Sequence, residues 1–203
     1  VFNNALYFSA NGGVSGQELW VYDGTTATQA ADLFVGSTGS SPSNFTVFNN
    51  ALYFRATNNA TVGAELWRYD GTTANLVADI SGSGSSSPSG LMAFEDALYF
   101  SATGSDGAGA ELWRYDGASV VRMADIAPGS ASSSPSGLTI FNNALYFAAN
   151  GELWQLGGTR INLVQGNVIG LDTDGTATMS NQGDGIHISG PNNTVGGTTT
   201  GDA

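Results

Sequence analysis

Apolar residues in this chain come in short runs broken by Asn-Asn, Asp-Gly or clusters of Gly and Ser. Within a repeat no window of about 10 residues carries the spacing of an amphipathic helix, so the pattern predicts strands joined by tight turns. The runs recur. Phe-Asn-Asn-Ala-Leu-Tyr-Phe begins at Phe2, Phe48 and Phe141, with Phe-Glu-Asp-Ala-Leu-Tyr-Phe at Phe94, in steps of 46, 46 and 47 residues. Glu-Leu-Trp stands at Glu18, Glu65, Glu111 and Glu152, and Tyr-Asp-Gly at Tyr22, Tyr69 and Tyr115. Ala-Asp-Leu/Ile follows at Ala31, Ala78 and Ala124, then Ser-Ser-Pro-Ser at Ser40, Ser86 and Ser133. A fixed period of this length marks an array of supersecondary units that bury their apolar faces on one another.

In the second unit the pattern predicts strands over 45–48, 51–56, 65–69 and 75–80. Asn49-Asn50 suits a two-residue hairpin because Asn tolerates positive φ, and Asp70-Gly71 opens the next turn. Leu52-Tyr53-Phe54 and Leu66-Trp67 with Tyr69 place large apolar side chains on both faces of the sheet. A sheet with one wet face alternates apolar and polar residues, so both faces here must be covered. The expected architecture is all-β: a β-propeller-like array of about four four-stranded antiparallel blades with aromatic packing between them, a twisted open stack being the alternative. The units run about 1–43, 44–89, 90–136 and 137–165, together domain 1–165. The expected count is 15 strands, three in the first unit and four in each of the others.

After Gln165 the period stops, and residues 166–203 hold no Trp, Tyr or Phe. Short β-branched runs spaced by Gly and Asn read there as a short β-helix-like segment with too few coils to stand alone. The first unit lacks one strand, represented only by Val1 and Phe2. A strand from around Asn167, Val168 and Ile169 of this chain, or one donated by a second copy, is the expected complement, and donation by a second copy would give a homo-oligomer or polymer. The opening Val1-Phe2-Asn3-Asn4 repeats at 47–50, so the start reads as mid-pattern, a mature or excised segment.

Two resemblances can be stated. Glu-Leu-Trp-Arg-Tyr-Asp-Gly-Thr at 65–72, with its downstream Ala-Asp-Ile and Asn-Asn-Ala-Leu-Tyr-Phe, resembles the Glu-Leu-Trp-x-x-Asp-Gly-Thr repeats of large secreted bacterial proteins, thought of as propeller-like modules. The tail, from Gly-Asn-Val-Ile-Gly at 166–170 to Asn-Asn-Thr-Val-Gly-Gly at 192–197, resembles right-handed parallel β-helix repeats of bacterial surface proteins. The resemblances imply an extracellular or cell-surface modular protein and bring no catalytic residues. The fourth unit departs from the first family, with Gln155-Leu156-Gly157-Gly158 where the others have Tyr-Asp-Gly.

Composition narrows the partners. Seventeen acidic residues against five Arg and no Lys give a charge of -12, which disfavours nucleic acid, where binding rests on clustered cations. Cysteine is absent, which removes disulfides, thiolate chemistry and cysteine zinc sites. No apolar stretch approaches the length of a membrane span of about 18 residues.

Each repeated polar residue has a bland reading beside a chemical one. The Glu before each Leu-Trp is read as a strand-end carboxylate meeting backbone N–H groups or one of Arg55, Arg68, Arg114 and Arg122, in preference to a carboxylate-lined channel that holds a cation or a paired glycosidase carboxylate. Asp23, Asp70 and Asp116 are turn residues. Asp32, Asp79 and Asp125 end the last strand of their units and are the candidate metal positions, for calcium. The recurring Trp20, Tyr22, Trp67, Tyr69, Trp113, Tyr115 and Trp154 are candidate sugar-stacking residues, with packing between blades as the cheaper explanation. Asp172-Thr173-Asp174-Gly175 lacks the rest of a calcium loop, and His187 stands alone between two Ile. The expected function is a non-enzymatic extracellular structural protein that self-assembles through β-sheet edges, as a filament, surface-layer or adhesin component. The alternatives are a multivalent polysaccharide-binding propeller and an accessory part of a carbohydrate-active enzyme.

Overall fold

The computed structural model describes residues 1–58, 62–82 and 84–157. Every regular element among them is a strand. The first sheet holds β1 (Leu6–Asn11), β2 (Gln17–Tyr22) and β3 (Ala27–Ala31). The second holds β4 (Ser43–Phe48), β5 (Ala51–Thr57), β6 (Ala64–Tyr69) and β7 (Ala74–Ala78). The third repeats it with β8 (Ser89–Phe94), β9 (Ala97–Thr103), β10 (Ala110–Tyr115) and β11 (Val120–Arg122). The fourth holds β12 (Ser136–Phe141), β13 (Ala144–Ala149) and β14 (Glu152–Leu156). All four are antiparallel meanders in sequence order. The predicted fifteenth strand falls outside the described residues.

Local chemistry explains the turns. Asn49 and Asn50 both adopt positive φ, 42° and 54°, the two-residue turn whose twist matches the flanking strands. In the first unit Phe2 and Ala5 bridge around Asn3-Asn4, so the missing strand survives as one ladder pair. The first strand of each later unit has a bulge near its start, with Asn44, Gly90 and Gly137 at φ 58° to 63°. Asn44 replaces glycine there because its short side chain tolerates the left-handed region.

The core lies between sheets. Residues directly opposite one another in a ladder share a face, so Leu52, Phe54, Trp67 and Tyr69 lie together on one face of the second sheet. They pack against Phe2, Tyr7 and Leu19 of the first. The opposite face of the second sheet, with Tyr53 and Leu66, receives Leu98, Phe100, Trp113 and Tyr115 of the third. Tyr99 and Leu112 in turn receive Leu145, Phe147, Trp154 and Leu156 of the fourth. The first strands of the last three sheets adjoin, β4 beside β8 and β8 beside β12, and the Thr46 hydroxyl donates to the Leu91 carbonyl at 2.9 Å. Both faces of the inner sheets are therefore covered, as the sequence pattern requires.

Candidate functional site

The feature built most heavily in each of the first three units is a junction around one buried carboxylate. Glu18, Glu65 and Glu111 sit near the start of β2, β6 and β10 and are fully buried. Glu65 accepts the backbone N–H of Ile80 at 3.0 Å and of Ser86 at 2.8 Å, and also the Ser86 and Ser81 hydroxyls. Glu18 accepts from Leu33 at 2.9 Å and Ser40 at 2.8 Å, and Glu111 from Ile126 and Ser133 at 3.0 Å each, with the Ser40 and Ser133 hydroxyls completing each set. Charge-assisted bonds of this kind are about twice as strong as neutral ones, and here they replace the lost hydration of a buried carboxylate. The carboxylates meet backbone donors, as the bland reading expects, but serine and not arginine supplies the side-chain partner. Three of the four candidate arginines serve elsewhere: Arg68 pairs with Asp70, Arg114 with Asp116, and Arg122 with Asp106 and Asp125.

The serine held by each carboxylate stitches two sheets together. Ser87 N–H donates back to Ala64 of its own unit, while Ser86 carbonyl accepts from Thr103 of the next. Ser41 to Gln17 with Thr57 to Ser40, and Ser134 to Ala110 with Asn150 to Ser133, repeat the arrangement. Ser41, Ser87 and Ser134 take positive φ, 49° to 51°, each immediately before a proline. The connection also presses on the strand it returns to: a Cβ added at Gly63 would stand 2.1 Å from the Gly84 carbonyl oxygen. Sequence reasoning missed these serines as carboxylate partners. The signal is present as Ser40, Ser86 and Ser133 lying 22, 21 and 22 residues after their Glu, in register with it.

The aromatic series divides by position. Trp67, Tyr69 and Tyr115 are buried between sheets, Trp20, Trp113 and Trp154 are half-buried, and Tyr22 is exposed. Tyr69 meets Tyr7 at 5.6 Å between ring centroids, and Tyr115 meets Tyr53 at 5.7 Å. Such tilted pairs contribute about 0.5–1.5 kcal/mol beyond their burial. Burial pushes the Tyr53 hydroxyl up to about 12, with the neighbouring Tyr115 adding to it, and raises Tyr7 and Tyr69 in the same direction. The series thus does not gather into one cleft; it is distributed over successive junctions.

The turn aspartates behave as local devices. Asp70 accepts the backbone N–H groups of Thr72 and Thr73 at 2.9 Å each, and Asp23 and Asp116 repeat the motif. Those bonds hold Asp23 and Asp70 below the usual carboxylate range and bring Asp116 to about 2, with Arg114 assisting the last. Asp32, Asp79 and Asp125 are exposed, one in each unit. Asp79 accepts Gly82 N–H at 2.8 Å, and Asp125 pairs with Arg122 at 3.2 Å. Among the described residues no three His, Asp or Glu side chains converge to hold a metal ion.

Of the expected assembly residues, Val1 is exposed, whereas Phe2 is buried against the second sheet and forms part of a core. The Phe2 ring fills the same position as Phe48 and Phe94 at the later junctions. Asn167, Val168, Ile169, His187 and the Asp172 region lie outside the described residues. A shallow depression of about 330 Å³ is lined by Ser86, Ser87, Ser89, Ser134 and Ser136 among others, with no charged side chain. No helix among the described residues is long and apolar enough to cross a membrane. No protein-family model matches the chain, and no curated protein matches it significantly.

Proposed function

We propose that this chain is a structural and interaction module of the cell exterior, a propeller-like array of blades that associates with copies of itself. The observation that carries this reading is the internal use of its repeated chemistry. In the three complete junctions the carboxylates clamp loops, the serines stitch neighbouring sheets and the aromatics fill the space between them. Adjacent first strands and stacked meanders suit a propeller-like array, a twisted open stack being the alternative. Secretion and a surface setting rest on the repeat resemblance. Outer strands such as β3, exposed over its first three residues, offer edges for pairing between copies.

Sedimentation of the purified chain across a wide concentration range tests the reading. Concentration-dependent growth beyond a monomer is expected. A chain that remains monomeric at every concentration and salt level removes self-assembly from the proposal.

A further inference from the structure

We infer that this chain docks head to tail on a second copy, the outer face of the first sheet seating on the outer face of the fourth. The inference rests on the self-assembly proposed above, but assigns the contact to sheet faces in place of sheet edges.

The three internal junctions are copies of one interface with two different halves. One half is a Phe and Tyr from the hairpin with a Leu from the third position of Glu-Leu-Trp's strand: Phe2, Tyr7 and Leu19, then Phe48, Tyr53 and Leu66, then Phe94, Tyr99 and Leu112. The other half is the Leu, Phe, Trp and Tyr or Leu face of the following sheet. Among the described residues each half appears once more without a mate. The first sheet carries Leu6, Phe8, Trp20 and Tyr22 on one face, since Leu6 pairs with Tyr22 and Phe8 with Trp20. The fourth carries Tyr146 and Leu153 on its opposite face, with Phe141 beside Tyr146 at 6.2 Å between centroids, as Phe94 lies beside Tyr99.

Exposure marks these as the unfilled halves. Leu6 is 50% and Tyr22 40% exposed, whereas Leu52, Leu98, Leu145, Tyr69 and Tyr115 are buried. Phe141 is 62% and Leu153 76% exposed, whereas Phe2, Phe48, Phe94, Leu19, Leu66 and Leu112 are buried. The seat for the turn is open too. A Cβ at Gly71 would stand 3.2 Å from the Asn3 side chain of the preceding unit, while one at Gly24, the same turn position, meets nothing within 4 Å. What covers each half is therefore written three times in the molecule: the other half. Joining unlike halves is a heterologous contact, which yields a ring or a filament according to the rotation per copy.

The test uses two single variants of the full chain, Leu6→Glu and Leu153→Glu, each placing a charge on one half. Sedimentation should show wild type growing with concentration and each variant alone held as a monomer, with association weakened at least about 100-fold, since a central apolar contact becomes a buried charge. Mixed in equal amounts, the two variants should give one discrete heterodimer, because each retains the half the other lacks. Tyr22→Asp, on an exposed side chain, repeats the first arm if Leu6→Glu fails to fold. Variants that assemble like wild type overturn the face-to-face contact and leave edge assembly standing. A wild-type monomer overturns both, whether the halves close within one chain or residues 158–203 cover one of them.

Discussion

The second and fourth sheets carry nearly the same text and live in different surroundings. Leu66 and Leu153 follow the same Glu and precede the same Trp, yet the first is fully buried and the second largely exposed. Glu65 is buried with four donors around it, whereas Glu152 is exposed. The difference teaches that a residue in this array gets its energetic weight from the neighbouring unit and the returning loop. Stability in such repeats is a sum over units and their interfaces.

That contrast can be broken most directly at the leucines. Leu66→Ala empties a fully packed position and should cost about 2–5 kcal/mol in denaturant unfolding, whereas Leu153→Ala at low protein concentration should stay within about 0.5 kcal/mol. Equal effects would mean that the fourth sheet's outer face is covered in the monomer. Next in size are the carboxylates. Glu65→Gln turns an amide NH2 donor toward a site filled with donors and should cost about 1–3 kcal/mol by the same measurement. Glu152→Gln, on an exposed side chain, should change little, and a comparable loss there would give the fourth unit a clamp of its own.

The tyrosines sharpen the contrast through pH. Because folding raises Tyr53 to about 12, the folded chain binds a proton more tightly than the unfolded one, whose phenol ionises near its ordinary value of about 10. Stability is therefore fully present below about pH 10 and declines as pH rises toward 12. Tyr53→Phe should flatten that decline, and a tyrosinate absorbance titration of the folded wild type should place one group near 12. Retention of the full alkaline loss in the variant would assign it to other groups.

The smallest effect is expected at the turns. Asp23 lies in an end sheet and Asp70 and Asp116 in inner ones, yet all three are lowered by the same two backbone bonds. Each contributes stability present above the ordinary aspartate value and lost as pH falls, for Asp116 toward about 2. Carboxyl titration by NMR should find all three lowered, Asp116 to about 2. A normal value for Asp23 alone would show that even the turns depend on neighbouring sheets.

Strand order, turn positions and the need to cover both faces were legible in the sequence, because periodicity two and Asn or Gly at positive φ act over a few residues. Boundaries were less so where a distant group intervenes. The expected strand over 75–80 ends at Ala78, since the Ile80 N–H goes to Glu65 instead of continuing the ladder. Ser86 as the partner of Glu65 was equally hidden, because the two meet only when the connection folds back on its own strand.

By itself, then, the sequence determined a tandem array of antiparallel β units with fixed hairpins and aspartate turns, since those depend on neighbours along the chain. Only the tertiary structure decided which copy of each repeated residue is buried, that serine and not arginine completes the carboxylate site, and that Phe2 belongs to the core. Identical residues acquire different energies once packing gives one of them a partner sheet and leaves the other facing water.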